Sequence, residues 1–237
     1  LFLGASLGVW MASHRPPTSY AAALSATPDR EMRPQLIEAL EEQTAAIVNQ
    51  PQEQRRSGWS VEFSQMQLNS WLADRFPHLE GEWTELGIRD PRILIAPRSI
   101  DVGFRVERPG EDEFWSLSLL PKVTGPHQFV CQILGVKLGL LPIPLDRIEL
   151  QPDGVMQGDD WELGWSYNRT DHTITIDLPE ESGIPPLSEL EILPETIRFR
   201  GDQSANPPET SEALPTDKTQ ENSPANPEAL TPTPPGK

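Results

Sequence analysis

The sequence predicts an α+β fold in which N-terminal amphipathic helices pack on a curved, mainly antiparallel sheet. Three observations carry that reading. Residues 28–50 repeat apolar side chains at helical spacing. Residues 60–76, SVEFSQMQLNSWLADRF, run from a strand end into a capped helix. After residue 87 the apolar period changes to two, and strands follow one another over short connections. Helices first and strands afterwards argue for antiparallel pairing rather than βαβ units.

In the first helix, Met32, Leu36, Leu40 and Ile47 line one stripe, with Ile37 and Val48 beside them and acidic and amide side chains opposite. Pro34 places its regular part from that residue onward. A polar loop, QPQEQRRSG, follows. Val61 and Phe63 then alternate as in a strand. Ser64 is a good N-cap and Gln67 stands three residues later, which together spell a capping box, while Phe63 and Leu68 hold the positions of a hydrophobic staple. Leu68, Trp71, Leu72 and Phe76 form the expected apolar face, and Pro77 ends the helix.

Among the strands, SIDVGFRVE sets Ile100, Val102, Phe104 and Val106 on one side. RPGEDE is a turn, and FWSLSLLP aligns Trp115, Leu117 and Leu119. QFVCQILGVKLG is apolar on both faces, as in a central strand. WELGWSYN aligns Trp161, Leu163, Trp165 and Tyr167; HTITIDL aligns Ile174, Ile176 and Leu178; TIRFRG closes the ordered part. Gly135 and Gly139 mark a bulge or bend, and Pro142 and Pro144 end a strand.

The chain has 237 residues, 26 of them proline, and a formal net charge of −17. That charge repels phosphate backbones and anionic lipid headgroups, so nucleic acid is excluded as a partner. Its plainest role is solubility. Cys131 is the single cysteine, within the apolar run FVCQIL, so there is no disulfide framework and its expected role is packing.

Three segments follow. Residues 1–20 open on LFLGASLGVWMA, uncharged and apolar or small, without an initiator Met. Twelve residues are short of the roughly 20 needed to span a bilayer. They fit the tail of a transmembrane anchor or the end of a signal-peptide hydrophobic region. Residues 25–200 read as one α+β domain. Residues 201–237 hold eight prolines, six acids and no aromatic residue, and read as a disordered acidic tail. The expected location is membrane-anchored and extracytoplasmic, or secreted if the opening segment is cleaved.

VEFSQMQLNSWL and ILGVKLGLLPIPLDRI, which span part of residues 58–150, resemble the YpmS-like group of bacterial envelope proteins. The resemblance implies one N-terminal transmembrane helix and a small extracytoplasmic α+β domain. The architecture is also similar to half of a tubular lipid-binding (TULIP-like) domain, whose sheet wraps a helix around an apolar groove. The segment after Pro144 departs from that pattern, being no clear long helix.

Catalytic and metal motifs are missing from the text. His14, His78, His127 and His172 are far apart, and there is no H-E-x-x-H, G-x-S-x-G, Walker loop or G-x-G-x-x-G. PDGVMQGDDWE, with Asp153, Asp159 and Asp160, lacks EF-hand spacing and reads as a solvated acidic turn. Asn69 is expected to hydrogen-bond the sheet or to line a groove. No cofactor, metal or catalytic residue is expected. The reading is a membrane-tethered, non-enzymatic envelope protein with an apolar groove for a lipid, lined by Leu68, Trp71, Leu72, Val102, Phe104, Leu117 and Leu119. Two alternatives stand beside it: a structural or protein-interaction module of the envelope, and a glycan-binding domain using the Trp161, Trp165, Tyr167 row.

Overall fold

A computed structural model describes residues 11–51, 58–78, 86–148, 153–158, 161–179 and 183–201, with backbone alone for 153–158 and 161–163. Within these residues the chain forms α1 (Thr18–Ser25), α2 (Arg33–Val48), β1 (Trp59–Ser64) and α3 (Gln65–Arg75). Ten strands follow: β2 (Ile88–Ala96), β3 (Ser99–Arg108), β4 (Glu111–Gly125), β5 (Gln128–Leu138), β6 (Leu141–Ile143), β7 (Asp153–Gly158), β8 (Trp161–Asn168), β9 (Thr173–Asp177), β10 (Glu189–Leu193) and β11 (Thr196–Gly201). The α+β class predicted from the change of period is the class the chain adopts.

The large sheet is open and antiparallel, in the order β2-β3-β4-β5-β9-β8-β7, with β6 folded back on β5. β5 lies between β4 and β9, the central place its composition predicts. Its alternation is broken between Gly135 and Ile133, opposite Ser118 and Leu119. That bulge turns Leu134 outward, leaving it 50% exposed. The small sheet, β1-β11-β10, joins the first strand to the last two. On it Arg198 stands opposite both Glu62 and Glu191 and pairs with each carboxylate. Such cross-strand charges on an exposed face stabilise only modestly.

α3 starts as its sequence dictates. The Ser64 hydroxyl accepts from the Gln67 backbone N–H at 3.2 Å, and the Gln67 Oε1 accepts from the Ser64 N–H at 2.8 Å. Its burial departs from expectation. The buried residues are Gln65, Gln67, Asn69 and Ser70, whereas Leu68, Trp71, Leu72 and Phe76 are half-buried. The cause is the neighbour. α3 runs along the edge of β2, and an edge strand offers unpaired peptide groups. Asn69 Nδ2 donates to the Ile93 carbonyl, Asn69 Oδ1 accepts from the Ile93 N–H, and Gln65 Oε1 accepts from the Ile95 N–H. Polar side chains face the sheet because the sheet's edge is polar there.

The packed body also starts upstream of residue 25. Pro17, Tyr20 and Ala23 are buried, and α1 lies on β2 and β3. Residues 153–158, expected as an acidic turn, form β7 in antiparallel register with β8. Beyond Gly201 the acidic tail lies outside the described residues, as do residues 1–10 of the apolar opening. Among the described residues no helix is long and apolar enough to cross a membrane.

Candidate ligand-binding face

Residues directly opposite in an antiparallel pair point to the same side of a sheet. The register therefore assembles one apolar face from five strands. Ile100, Val102 and Phe104 of β3 stand opposite Leu119, Leu117 and Trp115 of β4. Those in turn oppose Ile133, Val136 and Leu138 of β5. Past the bulge, Cys131 and Phe129 oppose Ile174 and Ile176 of β9, which oppose Tyr167 and Trp165 of β8.

This face is buried at its centre and at Ile95 and Val106, and half-buried between them. Ile133, Val136 and Tyr167 are buried as one cluster. Trp115, Leu117, Leu119, Trp165 and Ile174 pack against them half-buried, joined by Ile143, Leu145 and Ile148 from β6 and the 3-10 turn after it. Tyr167 keeps its hydroxyl 3.0 Å from His172 Nδ1, the usual arrangement of a buried phenol with a polar handle. Cys131 is buried too, and burial pushes its thiol up to about 11. It packs; it is no ready nucleophile.

The first helix lies elsewhere. α1 covers the opposite face, where Gly103 stands across from Ser116 and Arg92. The Tyr20 ring sits over Gly103 so closely that a Cβ there would lie 2.6 Å from Tyr20 Cδ2. The Tyr20 hydroxyl donates to the Asp90 carbonyl at 3.0 Å, and its ring meets Phe114 at a centroid distance of 5.8 Å. The arrangement departs from the expectation of a sheet wrapping helices with its apolar side: α1 occupies the face with the glycine.

The seven residues expected to line a groove thus divide into two groups. Val102, Phe104, Leu117 and Leu119 share the apolar face, all half-buried. Leu68, Trp71 and Leu72, also half-buried, sit on α3 along the β2 edge. Trp115, Ile133, Val136, Trp165, Ile174 and the Ile143–Ile148 segment complete the face. Alternation in their strands carried the signal for most of them. Of the tryptophan row proposed for sugars, Tyr167 is buried and Trp165 packs on its cluster, while the side chain of Trp161 lies outside the described residues.

A separate cavity of about 390 Å³ lies between α2 and β1, lined by Gln43, Ala46, Ile47, Gln50, Trp59 and Ser60 among others. Among the described residues no group of three or more His, Cys, Asp or Glu side chains is arranged to hold a metal ion. No protein-family model, curated protein or solved structure matches this chain. The functional reading rests on the face itself.

Proposed function

We propose that this chain is a membrane-tethered, non-enzymatic envelope protein that holds a lipid or another long apolar ligand along the open part of its sheet. The observation that supports this reading is the half-burial of Val102, Phe104, Trp115, Leu117 and Leu119 on one contiguous face, with α1 on the opposite side of the sheet. Contiguous apolar side chains that keep part of their surface in water mark a place for an apolar ligand. A flexible chain of methylenes suits such a face: it needs contact area and few directional partners, and each buried CH2 contributes about 0.8 kcal/mol.

The test is native mass spectrometry of the gently purified 237-residue chain, followed by lipid extraction. A bound species of lipid mass, lost in Phe104→Trp or Leu117→Trp variants that keep their circular dichroism, is the expected result. An apo mass that takes up no added phospholipid overturns the proposal.

A protein-interaction module is the second reading, and one observation favours it. β7 ends the large sheet with no strand beyond it among the described residues, which leaves a row of peptide groups for a partner strand.

A further inference from the structure

The tethered end of the molecule can be located from contacts among described residues. The Leu140 N–H donates to the Ala12 carbonyl at 2.8 Å, and His14 Nε2 pairs with Glu111 at 2.5 Å. Gly139, at a φ of 58°, lies so close beneath this segment that a Cβ would collide with the carbonyl oxygens of Ala12 and Ser13. The chain following the apolar opening is therefore fixed on the β5–β6 turn and the start of β4.

Those two sites lie at one end of the large sheet. Arg108 stands opposite Glu111 at the β3–β4 turn, Trp115 opposite Leu138 where β5 finishes, and Ile88 opposite Val106 where β2 starts. The Gly87 carbonyl, one residue past Leu86, accepts from the Glu107 N–H at the same end. Three large apolar side chains are exposed there: Met11 at 43%, Leu140 at 43% and Leu86 at 54%. The nearby charges are balanced rather than basic, with Arg89 near Glu107 and Arg108 near Glu113.

We propose that this end, bearing the β3–β4 and β5–β6 turns, rests on a lipid bilayer, with Met11, Leu86 and Leu140 entering its interface. The inference rests on the membrane-tethered reading above and adds an orientation to it. The strands that carry the apolar face then run toward the bilayer, with Phe104, Trp115 and Leu138 nearest to it. Because the attraction is apolar, it does not require anionic headgroups, which a chain of net charge −17 would repel.

The test uses the 237-residue chain in two kinds of vesicle: phosphatidylethanolamine with phosphatidylglycerol, and phosphatidylethanolamine with phosphatidylcholine. Single cysteines at Leu140→Cys, Leu86→Cys, Arg98→Cys and Lys122→Cys carry an environment-sensitive fluorophore. Native Cys131 is buried and labels slowly in the folded protein. Position 122 lies about 35 Å along β4 from its first residue at roughly 3.3 Å per residue, beyond the reach of an interface. The expected result is several-fold stronger quenching by spin-labelled phospholipid at 140 and 86 than at 98 and 122, alike in both vesicles. Equal quenching at all four positions, or stronger quenching at 98 and 122, overturns the orientation. Failure to float with either vesicle overturns the tether and the orientation together. Lipid content measured on the same samples separates the two proposals: strong quenching at 140 with an empty sheet retains the orientation and removes the lipid-holding function.

Discussion

Asn69 spends both ends of its side-chain amide on one residue. Its Nδ2 donates to the Ile93 carbonyl at 2.8 Å and its Oδ1 accepts from the Ile93 N–H at 2.7 Å. The side chain stands in for a neighbouring strand's peptide and closes the β2 edge. Asn69 is fully buried, so water cannot replace it. Asn69→Ala leaves a donor and an acceptor unpaired, each costing about 1–3 kcal/mol. A destabilisation of roughly 2–4 kcal/mol in urea unfolding is expected. Asn69→Asp is expected to be at least as harmful, because it faces the Ile93 carbonyl with a carboxylate. A loss under about 0.5 kcal/mol for both would show that the edge is held by other contacts.

Gly103 is required for the approach of α1. An added Cβ would fall 2.6 Å from Tyr20 Cδ2 and 2.9 Å from Tyr20 Cβ, and the ring is confined by Phe114 and the Asp90 carbonyl. Overpacking of this kind costs about 1–3 kcal/mol. Gly103→Ala is expected to lower the melting temperature and to speed proteolytic cutting between Pro17 and Pro28. Pairing it with Tyr20→Ala is expected to recover part of the loss relative to the sum of the two single changes. Strict additivity would mean that the ring and the new methyl do not meet.

Two buried acids are expected to weaken the fold at alkaline pH. Burial, reinforced by Asp90, pushes the Tyr20 phenol up to about 12 from 10.0, and burial pushes the Cys131 thiol up to about 11 from 9.0. Each folded group holds its proton longer than the unfolded chain does. Its contribution is therefore complete below the unfolded value and is lost as pH rises through the folded one. The window opens near pH 9 with Cys131 and extends to pH 12 with Tyr20, each group costing about 2–3 kcal/mol across it. Urea midpoints between pH 8 and 11 are expected to fall. Cys131→Ala is expected to flatten the slope from pH 9, and Tyr20→Phe the slope above pH 10. An unchanged slope in both variants would assign the alkaline loss to other groups.

What could be read from the sequence was local. Ser64 and Gln67 form the capping box their spacing spells, and Val102 and Leu117 share a face because both strands alternate. What could not be read depended on distant partners. β2 was hidden by a bulge at Asp90, whose φ is 50°, and by Pro91 beside it; together they break the two-residue period of IRDPRILIA. α1 is eight residues, three of them alanine, with no apolar stripe to find, and its seat on the sheet is Gly103, 83 residues after Tyr20. In α3 the local pattern points to Leu68, Trp71 and Leu72 as the buried face, since nothing local announces that Gln65 and Asn69 meet a strand edge. The face of the candidate site was legible strand by strand. Its openness was not, because half-burial depends on where the helices settle.

That openness makes a last prediction about energetics. Ile133 is 3% exposed and Leu117, on the same face two strand positions from its partner Leu119, is half-buried. Truncation of a fully buried Leu or Ile to Ala costs about 2–5 kcal/mol, and the cost falls with the surface left in water. Ile133→Ala is expected near the upper half of that range and Leu117→Ala at roughly half its cost. Added phospholipid is expected to narrow the gap between the two. A ligand covering the open part stabilises the wild type and Ile133→Ala by mass action, while Leu117→Ala gains less because it has lost part of the contact. Melting curves with and without phospholipid measure both effects. Equal costs for the two truncations, with no lipid-dependent shift in either, would mean that the face is closed in solution and holds no ligand.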